Sequence, residues 1–159
     1  MELFDIAMKM EKEGESFYRD IAKKAATQGF RTIFNMLADD EAVHRETFEA
    51  MKKNTPVVIV DSTVSEKAEV VFEKVVKEDF LSEQSQLSLY EKALEIELKS
   101  IEFYSEQLET LDREDQRKNL ERIIHEERMH YDLIDDIIVL VERPESWVEH
   151  AEFGVREDY

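Results

Sequence analysis

Aligned with itself at an offset of 86 residues, the chain matches Leu3 with Leu89, Ala7 with Ala93, Glu11 with Glu97, Phe17 with Phe103, Tyr18 with Tyr104, Glu41 with Glu127 and His44 with His130, and no gap is needed. An ungapped internal repeat of this kind calls for two copies of one supersecondary unit. Two such units pack about a pseudo-twofold axis, and a site on that axis receives equivalent side chains from each half.

Each half reads as a pair of helices. From Leu3 to about Thr27, the residues Leu3, Phe4, Ala7, Met10, Gly14, Phe17, Tyr18, Ile21 and Ala25 recur at three- and four-residue steps, the period of a helix with one buried face. Thr27-Gln28-Gly29 reads as a helix end with a C-cap glycine. Phe30, Ile33, Phe34, Leu37, Phe48 and Met51 then carry a second helix as far as Asn54 and Pro56. In the other half a helix starting near residues 81–85 carries Leu89, Tyr90, Ala93, Leu94, Ile101, Tyr104, Leu108 and Leu111. Asp112 is the expected N-cap of the last helix, which runs with Glu114 and Asp115 in its first turn to Pro144. Between the halves, Val57-Val58-Ile59-Val60 is an extended run, and Ser65, Ala68 and Glu69 open a shorter helix with Val71, Phe72, Val75 and Val76 on its apolar side.

With only 3 Gly and 2 Pro in 159 residues, few turns are available, so the chain is predicted to be all-α. The expected architecture is a four-helix bundle over residues 1–143, with hairpins at about 1–54 and 83–143 and one long crossover, 55–82, containing an extra helix. A helix of roughly 27 residues is about 40 Å long, and a crossover with ten extended residues and a helix reaches that far. The tail, 144–159, carries Trp147, Val148, Phe153 and Tyr159 and is expected to dock on the bundle or on a neighbouring subunit.

Charge and composition exclude several classes. With 39 Asp and Glu against 21 Lys and Arg, the formal charge is −18, a field that repels nucleic-acid phosphates. The absence of Cys rules out disulfides, thiolate zinc sites, iron–sulfur centres and cysteine nucleophiles. No apolar run approaches the roughly 20 residues that cross a bilayer, and the start, Met1-Glu2-Leu3-Phe4-Asp5, lacks a basic signal region. A cytoplasmic protein without membrane contact is expected.

The repeated polar residues fall on apolar faces. Glu11 is flanked by Phe4, Ala7, Gly14 and Tyr18, and Glu97 by Tyr90, Ala93, Ser100, Tyr104 and Leu108. Glu41 and His44 lie between Leu37 and Phe48, and Glu127 and His130 between Ile123 and Ile134. If the first hairpin turns near residue 27, Glu11 is 16 residues before the turn and Glu41 is 14 after it, so antiparallel packing sets them side by side. The second hairpin does the same with Glu97 and Glu127, so six polar groups meet at one height. Four carboxylates buried together are untenable without compensating cations, because each unpaired buried ion costs several kcal/mol. Two divalent metals supply the opposite charge. A glutamate from each of two helices plus Glu-x-x-His from each of the other two is a di-metal ligand set, and the i, i+3 spacing lets both groups of one helix reach one ion.

Glu11 followed seven residues later by Tyr18, Asp40-Glu41-Ala42-Val43-His44, Glu97 followed by Tyr104, and Glu126-Glu127-Arg128-Met129-His130 make the chain resemble the rubrerythrin-like branch of the ferritin superfamily over its whole helical length. The resemblance implies a ferritin-like fold with two iron ions, manganese, zinc or cobalt being possible substitutes at such oxygen-and-nitrogen sites. It implies Glu41 and Glu127 as bridging or near-bridging carboxylates, His44 and His130 as one imidazole per metal, and Glu11 and Glu97 as terminal carboxylates. In related bundles an acid beside each Glu-x-x-His holds a histidine of the other hairpin, which implies Asp40 on His130 and Glu126 on His44, the alternative being that both are simple solvated acids. Tyr18 and Tyr104 are candidate hydrogen-bond donors to ligand carboxylates, or else ordinary core tyrosines. His125 and His150 are expected in solvent.

The implied activity is that of an oxidoreductase reacting with peroxide or oxygen. Because the 159 residues include no Cys, an internal electron donor of the cysteine-bound rubredoxin kind usual in rubrerythrins is expected to be missing, and electrons are expected from a separate donor such as a rubredoxin-like protein. The glutamate that takes part in peroxide turnover one turn after the helix ligand in rubrerythrin is here Ser100. The alternatives are a ferroxidase or storage role and a non-enzymatic metal-binding bundle. A homodimer, possibly with exchanged hairpins, is the expected assembly.

Overall fold

The computed structural model of the protein describes residues 2–57 and 60–145. Among them the regular structure is helical, with no strand: α1 (Leu3–Lys24), α2 (Gln28–Lys52), α3 (Val64–Lys74), α4 (Lys77–Ser82), a 3₁₀ turn at Gln84–Gln86, α5 (Leu87–Leu108) and α6 (Glu114–Glu142). Helices α1 and α2 form one hairpin and α5 and α6 the other; α1 meets α5 and α2 meets α6 across the bundle. The crossover places α3 on α2 and α4 on α6. This is the expected all-α bundle with one long connection, although the connection holds two helices where one was expected. No helix among the described residues is long and apolar enough to cross a membrane.

The apolar core comes in two blocks. One gathers Tyr18, Ile21, Phe30, Phe34, Leu37, Tyr90, Ile134 and Ile137 with Phe72 and Phe80 from the crossover; the other gathers Ala7, Phe48, Met51, Tyr104, Leu120, Ile123 and Ile124. Along every long helix the residues that separate the blocks are the repeated polar ones: Glu11 on α1, Glu41 and His44 on α2, Glu97 on α5, Glu127 and His130 on α6. A polar layer therefore cuts the hydrophobic core at a single level.

Three local expectations need correction. Gly29 is not a C-cap: Thr27 is the N-cap of α2, its hydroxyl accepting the Phe30 N–H at 3.3 Å, and Gly29 lies inside the helix. Its smallness serves packing, since a Cβ there would come within 2.5 Å of Val71 Cγ1 on α3. Asp112 is not the N-cap of α6 either; that position is Arg113, with no side-chain cap. Helix α5 starts at Leu87, because α4 and the 3₁₀ turn occupy the preceding residues. The tail from residue 146, His150 included, lies outside the described residues, as do Val58 and Ile59.

Glu83, between α4 and α5, is completely buried. Its carboxylate accepts hydrogen bonds from the backbone N–H of Ala26 (3.1 Å) and Thr27 (2.9 Å), the Thr27 hydroxyl (2.9 Å) and the Tyr90 hydroxyl (3.1 Å). One side chain thus fastens the α1–α2 turn to the entry of α5 and holds the two hairpins in register. Replacement Glu83→Ala removes several charge-assisted bonds at once and is expected to cost about 3 kcal/mol. Denaturant unfolding should show this loss, with Glu83→Gln, which keeps one acceptor oxygen, between the variant and the wild type.

Candidate metal centre

The six repeated residues converge. Glu11, Glu41, His44, Glu97, Glu127 and His130 are all between 0 and 3% exposed. They form two groups of four potential donors, Glu11–Glu41–His44–Glu127 and Glu41–Glu97–Glu127–His130, and within each group the donor atoms lie within 4.8 Å of one another. Glu41 and Glu127 belong to both groups. The remaining members are related by the 86-residue repeat, so each hairpin supplies one terminal carboxylate and one imidazole, to opposite halves of a shared centre.

Both imidazoles turn Nδ1 inward and Nε2 outward. His44 Nδ1 is 2.8 Å from Glu11 Oε1 and 3.3 Å from Glu127 Oε1; His130 Nδ1 is 3.4 Å from Glu127 Oε1 and 3.6 Å from both Glu41 Oε1 and Glu97 Oε1. On the outer side His44 Nε2 meets Glu126 Oε1 at 2.8 Å, and His130 Nε2 meets Asp40 Oδ2 at 2.8 Å. Each histidine is thereby braced by an acid on the other hairpin. Such a carboxylate fixes the tautomer with Nε2 protonated and leaves the Nδ1 lone pair free for a cation.

The tyrosines cross between hairpins as well. Tyr18 donates to Glu97 Oε1 at 2.5 Å and Tyr104 to Glu11 Oε2 at 2.6 Å. Burial and the neighbouring carboxylates push both phenols well above their ordinary pKa of 10.0, so they remain neutral donors. Gly14 lies against the same group: a Cβ there would meet the Glu41 carboxyl carbon at 3.5 Å, an ordinary van der Waals contact.

Three atoms aimed into the cluster, Glu97 Oε2, Glu127 Oε1 and His130 Nδ1, are buried and without a hydrogen-bond partner. Orphaned polar atoms at this depth cost roughly 1–3 kcal/mol each. Together they are what a cation-binding centre presents before its cation is counted.

Without a cation, protons take that role. Burial first, then repulsion from Glu11 and its neighbours, raises Glu41 well above the ordinary carboxyl range and Glu127 to about 7. Burial opposes the charged form of His44 and His130, but their hydrogen bonds to the surrounding carboxylates, Glu11 and Glu126 for the first and Asp40 and Glu127 for the second, raise both pKa values well above 6.5. Glu11 is lowered despite its burial, by hydrogen bonds from Glu41, His44 and Tyr104. Four groups thus favour their protonated forms, and four protons carry the same charge as two divalent metals.

His125 is exposed, as its helical phase suggests. Sequence reasoning missed Glu83 and Ser62. Ser62, in the crossover, donates its hydroxyl to Asp40 and its backbone N–H to Glu126; neither residue has a partner in the repeat that could have marked it. No curated protein and no solved structure matches the chain. A family model described as Rubrerythrin matches residues 2–138, most of the 159 and every residue of the polar layer, and on that evidence the chain belongs to the rubrerythrin family.

Proposed function

We propose that Glu11, Glu41, His44, Glu97, Glu127 and His130 hold two iron ions and that the protein reduces peroxide, or oxygen, with electrons from a separate donor. The observation that supports this reading most is the pair of four-donor groups sharing Glu41 and Glu127, with orphaned donor atoms facing inward. Two ferrous ions, if held there, would supply one electron each, which balances the two electrons and two protons that reduction of hydrogen peroxide to two waters consumes.

The protein's own part is placement. Glu126 and Asp40 orient the imidazoles, and Tyr18 and Tyr104 hold the terminal carboxylates from the opposite hairpin. Because all six side chains are almost completely buried, their charges act in a low-dielectric setting, where four carboxylates would neutralise two divalent cations. No Cys in the chain can store or relay electrons.

The expected result is a single oxidation. Ferrous-loaded protein mixed with excess peroxide should consume about one equivalent per chain and stop, then resume when a reductase and a rubredoxin-like donor are added. Stopped-flow absorbance follows both phases. Continued consumption without a donor would remove the need for external electrons. A second reading, metals that serve only to hold the bundle together, draws support from the near-complete burial of all six side chains. It requires that the ferrous protein survive peroxide unchanged. Assembly is read by native mass: the expectation is a homodimer, with hairpin exchange through the crossover as one form of it, whereas a storage role needs a closed shell of many chains.

A further inference from the structure

The repeat gives the two halves of the centre the same kinds of donor residue, but the crossover occurs only once. It passes over the seam between α2 and α6, where Asp40 and Glu126 hold the outer nitrogens of His130 and His44. At that point stands Ser62. Its backbone N–H donates to Glu126 Oε2 at 3.0 Å, and its hydroxyl donates to Asp40 Oδ2 at 2.5 Å. The same hydroxyl accepts the N–H of Val64, the first residue of α3, at 3.2 Å. Both the donor and the acceptor capacity of the hydroxyl are therefore engaged, and its direction is set by the turn into α3.

The two grips differ. Glu126 is held by a different donor on each oxygen, His44 on Oε1 and the Ser62 backbone on Oε2. Asp40, one methylene shorter, receives His130 and the Ser62 hydroxyl on a single oxygen, Oδ2. A backbone donor survives any side-chain replacement, whereas a hydroxyl does not. Ser62 also lines a surface groove of about 670 Å³ together with Glu126, Lys118 and Arg122, so water is at hand on its outer side.

We propose that Ser62 is a positioning residue that couples the crossover to both histidines of the metal centre, and that its hydroxyl sustains the His130 half alone. This rests on the reading of the six residues as a two-metal site. When the hydroxyl is removed, Asp40 loses the partner that fixes Oδ2, groove water takes its place, and the orientation of His130 loosens. The His44 half keeps its backbone donor.

The probe is cobalt(II), titrated into the metal-free protein and followed by visible absorbance and by the paramagnetically shifted imidazole N–H resonances, one from each histidine. Wild-type protein should take up two ions. In Ser62→Ala one ion should bind as in wild type and the other more weakly by a factor of up to about 10, the least that loss of Asp40, the group bonded to His130 itself, would cost. One N–H resonance should broaden through solvent exchange, and it should be the same one that Asp40→Asn affects. Ser62→Thr, which keeps the hydroxyl, should restore two equal sites. Two unchanged sites in Ser62→Ala, an equal weakening of both, or failure of Ser62→Thr to restore the second would each overturn the role of Ser62. Wild-type protein that binds fewer than two ions would overturn the underlying reading of the site instead.

Discussion

Freed of metal by chelation, the protein should melt at steadily lower temperature as the pH is raised from about 5 to about 8, while the metal-loaded protein should hold or gain stability over the same range. The sign follows from the core groups. Glu41 and Glu127 have folded values above the ordinary 4.5, so above that pH the folded chain keeps protons that the unfolded chain has released, and stability falls as pH rises through the folded values. For Glu127 the rise from 4.5 to about 7 amounts to roughly 3 kcal/mol, lost across that window. His44 and His130, raised above 6.5, add stability that is complete below 6.5 and lost at higher pH, so they act in the same direction. Glu11 and Glu126 are lowered and act oppositely, but their contribution is present above 4.5 and disappears only in acid. Metal reverses the slope because binding displaces protons from the same ligands and tightens as pH rises. At about 2–4 °C per kcal/mol for a chain of this size, the loss of these coupled protons together lowers the metal-free melting temperature by several degrees. Scanning calorimetry of both forms is the measurement. Parallel pH profiles would mean that the core acids do not carry these protons.

The architecture and the polar layer were legible because they are written twice. Helical periodicity alone leaves the phase of Glu97 on α5 open in a chain where 38% of residues are charged; the match with Glu11 removes that freedom. The distances of Glu11 and Glu41 from the hairpin turn then place them at one level. What stayed hidden occurs once. Glu83 is one acid among 39 Asp and Glu, in a connection with no counterpart, and its burial follows from a tertiary contact with the α1–α2 turn that no local pattern announces. Ser62 is hidden for the same reason. Gly29 was misread because a glycine beside Thr27-Gln28 fits a helix end as well as it fits a helix crossing; only the proximity of Val71 decides between them. Arg113 displaced Asp112 from the N-cap of α6 by a single residue, and its guanidinium pairs with Asp115 in the first turn. There a side-chain ion pair stands where a hydroxyl or carboxylate cap was expected.

The sharing of Glu41 and Glu127 between the two donor groups leads to the second large effect, in which replacing different glutamates should give different metal counts. Glu127→Ala takes a donor from both groups and leaves three in each, whereas Glu97→Ala leaves Glu11–Glu41–His44–Glu127 whole and depletes only the other group. Removing a charged group that contacts the ion should cost at least the roughly 100-fold that bounds the loss of an outer partner. Under conditions where the wild type retains two metals through gel filtration, Glu127→Ala should retain none and Glu97→Ala one. Glu11→Ala should also retain one, on the opposite half. The distinction is independent of which metal is used, since it depends on donor geometry alone, so elemental analysis of zinc- or cobalt-loaded variants is sufficient. Because Glu11 and Glu97 each accept a buried tyrosine hydroxyl, the helicity and melting of each metal-free variant are measured alongside, and the metal count is read on folded protein, where a low count cannot be ascribed to unfolding. If Glu127→Ala and Glu97→Ala retain the same number of ions, the two groups do not share their central carboxylates, and the centre is a pair of separate sites.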